Sequence, residues 1–263
     1  MSAAKASLLF LPSAVAATMA AWQVQRMQLK QGVVDEATRN MEQQPVDLLQ
    51  GTVPEFRRVA VQGTYDHSRT AFVGPRPLSY EPKDPAVKLG MRPMLVTPGA
   101  LKSGFLLVQP LTSSDRQHTV LVNRGWVPPN WKAQWRERFA ALQPSGSVSV
   151  TGVVQGSESP SGFVPANDAA AGDFFWMDVP GIAESFNLPR DTPMVQVLVD
   201  ETTRSKGEQP SCSAGVYPLP KPIANVVQFS TMPLGHFNYA VGWGCMSATM
   251  GYLAVKVLRK GKR

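Results

Sequence analysis

Charge is scarce in this 263-residue chain: Asp, Glu, Lys and Arg make up only 17% of it, low for a soluble domain. The shortage is concentrated at the ends. All 19 acidic residues lie between Asp35 and Glu208, so neither terminus carries a negative side chain. The tails instead hold Lys5, Lys256, Arg259, Lys260, Lys262 and Arg263. The net charge of +7 therefore belongs to the tails, and the central region is close to neutral. No basic stripe with interleaved aromatics crosses that region, so a nucleic-acid surface is not expected despite a pI near 9.6.

Cysteine and histidine are nearly missing too. Cys212 sits in a Pro/Ser/Gly-rich stretch and Cys245 in a long uncharged one, a separation that argues against a disulfide between them. The histidines, His67, His118 and His236, are dispersed, with no carboxylate or cysteine at metal-ligand spacing. There is no G-x-S-x-G, Walker-type loop, G-x-G-x-x-G or C-x-x-C. Asp66 beside His67 reads as a solvated loop pair rather than a base and its orienter. The expectation is a protein with no enzymatic job.

Two uncharged segments stand out. Ala6–Trp22 (ASLLFLPSAVAATMAAW) is 17 residues, the lower limit for crossing a bilayer core, and is followed by Gln23, Gln25 and Arg26. It reads either as a membrane helix or as a cleaved secretory signal with Lys5 as its basic flank. Phe237–Val255 (FNYAVGWGCMSATMGYLAV) has 19 uncharged residues before its basic tail. Ala240, Gly244, Ser247, Ala248 and Gly251 fall on one side of a helix, where a second helix could approach closely. Tyr239 and Trp243 suit a membrane interface. A buried helix of a soluble domain is the alternative; the positive tail favours a span.

Membrane-anchored α+β is therefore the expected class: a β-rich soluble domain flanked by two transmembrane helices. The expected division is a first span at 6–22, a domain at 23–236, a second span at 237–257 and a basic tail at 258–263. The positive tail would set both termini on the matrix or cytoplasmic side, with the domain opposite, in the intermembrane space or periplasm. In the middle, alternation and apolar runs predict strands over 57–64, 105–111, 118–126, 147–154 and 194–200. The second and third form a hairpin with a longer loop. Helices are predicted over Trp131–Leu142 and Asp178–Phe186, the latter with Asp178 as N-cap and Pro180 in its first turn.

A series of motifs runs through the chain. LLFLPSAVAATMAAWQVQRMQLK contains the W-Q-x-x-R exit at Trp22, Gln23 and Arg26. Pro45-Val46, RRVAVQGTYD at 57–66, Gly74-Pro75-Arg76 and LVNRGWVP at 121–128 follow. GFVPAND at 162–168, FWMD at 175–178 and H-x-x-Y-A-x-x-W at His236–Trp243 complete it. In order and spacing the series resembles the surfeit locus protein 1 family, inner-membrane assembly factors for cytochrome c oxidase.

The resemblance covers about Leu8 to Lys256. It implies a mitochondrial or bacterial inner-membrane protein whose partners are cytochrome c oxidase subunits or assembly intermediates. A stable accessory subunit of a respiratory complex is the alternative function, and a membrane-tethered enzyme or ligand-binding domain outside the family a third.

Individual residues keep readings of their own. Asn123-Arg124-Gly125 ends an apolar strand and reads as a turn, Gly125 supplying unusual backbone angles and Arg124 pairing with a carboxylate, or as a partner contact. Arg26 can anchor a span at the headgroups. Trp126 is either core or docking residue. His236, at the start of the second span with Tyr239 and Trp243 nearby, is either an axial ligand to haem a, as the resemblance implies, or an interfacial histidine bonded to a backbone carbonyl. The family often has Asn two residues before this histidine, where this chain has Leu234.

Overall fold

The computed structural model describes residues 7–48, 53–78, 103–114, 118–160, 162–169, 172–199, 217–227 and 231–260. It is α+β and divides into two compact units. One combines Met1–Thr38 with Val227–Arg263; the other is Arg39–Val226.

The first unit is a pair of long helices, α1 (Leu11–Glu42) and, at the other end of the chain, a helix over Pro233–Lys260. The expected break after Trp22 is absent. α1 continues to Glu42, because QVQRMQLKQGVVDEATRNME carries no proline and a single glycine, Gly32. The second uncharged segment, 237–255, lies within the C-terminal helix, and the first enters α1 from Leu11 on. Yet no helix among the described residues is long and apolar enough to cross a membrane. Mean hydropathy is held down by Gly, Ser, Thr and Asn.

The second unit is built on strands. β1 (Val46–Asp47), β2 (Arg58–Tyr65), β3 (Ala71–Pro77), β4 (Ser103–Ser113) and β5 (Thr119–Val127) come first. A short helix, α2 (Pro129–Gln134), leads into β6 (Val148–Gln155) and β7 (Asp173–Phe174). After α3 (Val179–Ser185) come β8 (Met194–Val199) and β9 (Lys221–Pro222); the C-terminal helix is then α4. β2 pairs with β6, β6 with β8, β8 with β5, β5 with β4, and β4 again with β2. The pairings close into a five-strand ring. Closure leaves no free edge among these strands, and β3 and β7 extend it from β4.

Predicted strands 57–64, 105–111, 118–126, 147–154 and 194–200 correspond to β2, β4, β5, β6 and β8, and β4–β5 is the expected hairpin, Thr112 opposite Thr119. Val59, Val61, Tyr65, Leu111, Val120, Val122, Val150 and Val195 form one apolar cluster. β-Branched side chains at every second position meet there, as half-buried strands require. A second cluster joins Val73, Val108, Leu121 and Met194 to Ile182 and Ala183 of α3. α3 begins as predicted: the Asp178 carboxylate accepts the Gly181 N–H at 3.2 Å.

The predicted helix over 131–142 is only partly formed. α2 stops at Gln134, a wide π-type turn covers Trp135–Phe139 and a 3₁₀ turn covers Ala140–Leu142. Its start is set by Pro129 rather than by a side-chain cap. Trp131 and Trp135 are buried against Phe72, Leu107 and Val127, and Phe139 stacks on Trp131 with ring centroids 4.5 Å apart. Packing of aromatics onto the sheet governs this stretch more than helix propensity does.

Candidate functional site

In the helix pair, large apolar side chains face outward while polar ones meet within. Ser13 Oγ donates to Ser247 O at 2.8 Å, and Ser247 Oγ donates to Ser13 O at 2.8 Å. Farther along, Gln23 meets His236, and Lys30 Nζ donates to Thr231 O at 2.8 Å. Rising numbers on α1 meet falling numbers on the other strand of the pair, so the helices run antiparallel. Ala16, Ala240 and Ala254 are buried, and a Cβ added at Gly251 would lie 3.2 Å from Ser13 Oγ. Of the predicted small-residue face, Ala240 is buried and Ser247 and Gly251 meet α1, whereas Ala248 is exposed and an added Cβ at Gly244 would meet nothing within 4 Å.

His236 and Gln23 are both buried. His236 Nδ1 lies 2.6 Å from Gln23 Oε1. Because that oxygen can only accept, Nδ1 carries the proton and donates, which leaves Nε2 as a bare lone pair. Nε2 is itself buried and has no hydrogen-bond partner. In the neutral imidazole this tautomer is the one that leaves Nε2 free to serve as an acceptor or ligand. The expected backbone-carbonyl partner is thereby corrected: the partner is a side chain far away in sequence. Trp22, Arg26 and Tyr239 are exposed and Trp243 half-buried, so of the motif residues at the two ends the hydrogen bond joins only Gln23 and His236.

The N-R-G motif is not a turn at the end of a strand. β5 runs through it to Val127, and the register jumps there: Val108 faces Asn123, while Leu107 faces Gly125. Arg124 is therefore the extra residue of a β-bulge. Gly125 does take an unusual conformation, φ +118°, with a Cβ position only 2.0 Å from Leu219 O. That close approach allows Trp126 and Leu219 to exchange backbone hydrogen bonds of 2.8 Å each.

Arg124 is buried, and among the described residues no carboxylate pairs with it. Its Nη1 donates to Gln109 Oε1 at 2.8 Å, and its guanidinium lies 4.5 Å from the Tyr65 ring centre. Asn123 Nδ2 donates to Gln196 Oε1 at 2.7 Å and Gln155 Oε1 at 3.0 Å. Trp126 is buried, and its indole N–H donates to Arg76 O at 3.0 Å. These positions build the barrel. His67 also belongs to it: Nε2 is 2.8 Å from Pro144 O and Nδ1 is 3.2 Å from Gln109 Nε2. Asp66 turns instead to Ser68 and Arg69.

Sequence reasoning left Asn167 without a role of its own. Its side chain accepts the Phe175 N–H at 2.7 Å and the Trp176 N–H at 3.2 Å and donates to Trp176 O at 3.1 Å. The P-A-N-D and F-W-M-D motifs are thus one stapled turn, and an Asn a few residues before an aromatic pair was the available signal. Among the described residues, no group of His, Cys, Asp and Glu is placed to hold a metal ion. Cys245 is a free thiol, and Cys212 lies outside the described residues.

The profile of the SURF1 family matches residues 10–248. The chain belongs to the SURF1 family. "Surfeit locus protein 1" of Arabidopsis thaliana is 28% identical to it, over 96% of this chain and 77% of the relative. The "SURF1-like protein" of Monosiga brevicollis is 29% identical over 91% and 82%, and "Surfeit locus protein 1" of Homo sapiens 28% over 97% and 77%. The SURF1 match takes in both Gln23 and His236 as well as the bulge at Arg124.

Proposed function

We propose that this chain is an inner-membrane assembly factor for cytochrome c oxidase, and that its helix pair lies in the bilayer. Membership of the SURF1 family over nearly the whole chain carries the oxidase role. The membrane reading rests on the pattern of exposure. Leu11, Val15, Trp22 and Val24 are exposed on α1, and Phe237, Val241, Met246, Leu253 and Val257 on α4, while Ser, Gln and His meet between the helices. In water this distribution exposes far more apolar surface than a stable soluble protein carries; in lipid it is the ordinary arrangement. Ser13, Ser247 and Gly251 form the contact, which keeps bulky apolar groups out of it. The barrel would then face the intermembrane space or the periplasm, with the basic tail on the matrix or cytoplasmic side.

Deleting the gene should lower assembled cytochrome c oxidase and spare other respiratory complexes. Unchanged oxidase level and activity would overturn the assembly role. Protease added to mitoplasts or spheroplasts should digest the barrel and spare a C-terminal tag; loss of the tag would overturn the topology.

Presentation of haem a at His236 is part of the same reading. A haem would supply an iron centre that the neutral His236 imidazole would hold. The residues fit that chemistry: His236 Nε2 holds an unshared lone pair, and Gln23 fixes the tautomer by accepting the hydrogen bond from Nδ1–H, the usual arrangement behind an imidazole ligand. Since Nε2 is buried between helices, access requires local separation of the pair. Full-length protein purified from cells making haem a should show a Soret band that His236→Ala removes. Protein that carries no haem under those conditions would overturn the ligand role and leave His236 as a helix-pairing residue.

A further inference from the structure

The barrel unit contains a cavity of about 220 Å³ that the helix-pair reading leaves unused. One wall is apolar, with Trp126 and Leu219 packed together and Leu106 against them. The other wall carries Arg76, Glu158 and Lys221. Arg76 and Glu158 are paired, and the same Glu158 oxygen also accepts the Met177 N–H at 2.9 Å. That leaves one positive charge in excess, on Lys221. Its ammonium reaches the Val226 carbonyl only at 3.4 Å, the long limit of a hydrogen bond. Arg76 Nε is buried and meets no acceptor. A buried cationic donor without an acceptor is costly, and nature rarely leaves one without a ligand or a water.

We infer that this cavity binds a small amphipathic monocarboxylate, its carboxylate taken by Arg76 Nε and the Lys221 ammonium and its apolar body laid on Trp126. A monoanion cancels the one excess charge, whereas a dianionic phosphate would add repulsion from Glu158. At about 30 Å³ per water, the space equals that of about seven waters, room for a ligand of about ten heavy atoms. Burial pushes the Lys221 ammonium below its ordinary pKa, Glu158 opposes that, and Arg76 adds to it; a bound carboxylate would act in the same direction as Glu158 and further favour the charged form. The site stands on the barrel alone and does not depend on the membrane or haem reading.

The test uses the full chain in detergent, titrated by calorimetry with phenylacetate, phenylacetamide and inorganic phosphate. Phenylacetate should bind at least about tenfold more tightly than its neutral amide, since charge-assisted hydrogen bonds are about twice as strong as neutral ones. Lys221→Met should lose at least about that factor, while Lys221→Arg, which keeps the charge, should retain binding. Retention of the wild-type thermal midpoint by Lys221→Met would separate loss of the site from loss of the fold. Equal binding of acid and amide, phosphate binding as tight as phenylacetate, unchanged binding in Lys221→Met or no binding by wild type would each overturn the assignment.

Discussion

Replacing Gly125 with alanine tests the account of the N-R-G bulge most directly. Two costs add. A side chain at φ +118° is strained, which is worth about 1–3 kcal/mol. The new methyl would also sit 2.0 Å from Leu219 O and 2.5 Å from Leu219 C, both backbone atoms, so no rotamer change relieves the clash. The two strands must move apart, which weakens the paired Trp126–Leu219 hydrogen bonds, at about 0.5–1.5 kcal/mol each. The total is about 2–6 kcal/mol. For a unit of this size that lowers the melting temperature by about 4–24 °C. Near-ultraviolet dichroism during thermal unfolding reads it, because the bulge holds Trp126. Gly146→Ala is the control: no heavy atom lies within 4 Å of its added Cβ, and the change should stay within about 0.5 kcal/mol. A Gly125→Ala protein that melts within about 2 °C of wild type would show that the close approach carries no structural weight.

Two further substitutions probe other parts of the chain. Gly251→Leu should separate the helices at Ser13 and raise amide exchange in α1 by mass spectrometry, whereas Gly242→Leu, whose added Cβ meets nothing within 4 Å, should not; equal exchange in both would refute the small-residue contact. At Asp66, burial acts to raise the carboxyl pKa, but hydrogen bonds from Ser68 and Arg69 and the Arg69 charge outweigh it and hold the group below 3.8. Its contribution is therefore present above that ordinary value and is lost as pH falls through the lower folded value. Asp66→Asn should flatten the fall of the urea midpoint between about pH 5 and about pH 2.5, and an unchanged slope would refute the assignment.

What the sequence discloses depends on how local each cause is. β2, β5 and β6 are legible because β-branched residues alternate or run together within each strand. β3 is hidden because Gly74-Pro75 interrupts AFVGPRP, and β1, β7 and β9, two residues each, exist only through their partners. The α3 start is legible because Asp178 and Pro180 act on their own neighbours. The length of α1 is not, since its second half is polar and shows no apolar period. The Gln23–His236 contact joins residues 213 apart, so no spacing rule reaches it. Motifs at both ends mark the residues without stating that they touch. Arg124 misleads for another reason: a buried guanidinium satisfied by an amide oxygen and a ring leaves no acidic partner in the pattern.

The ring of strands also fixes an order of assembly. β8 lies between β5 and β6, although it is made after both. While the ribosome is still short of Met194, β5 and β6 each present an unpaired edge to the surroundings. The β4–β5 hairpin can form early, from neighbours a few residues apart, but the barrel must wait for a strand about 70 residues downstream of β5, a long loop to close. During that interval the chain is most exposed to mispairing with other nascent strands. Truncation before Met194 should thus yield an aggregation-prone product rather than a smaller folded one.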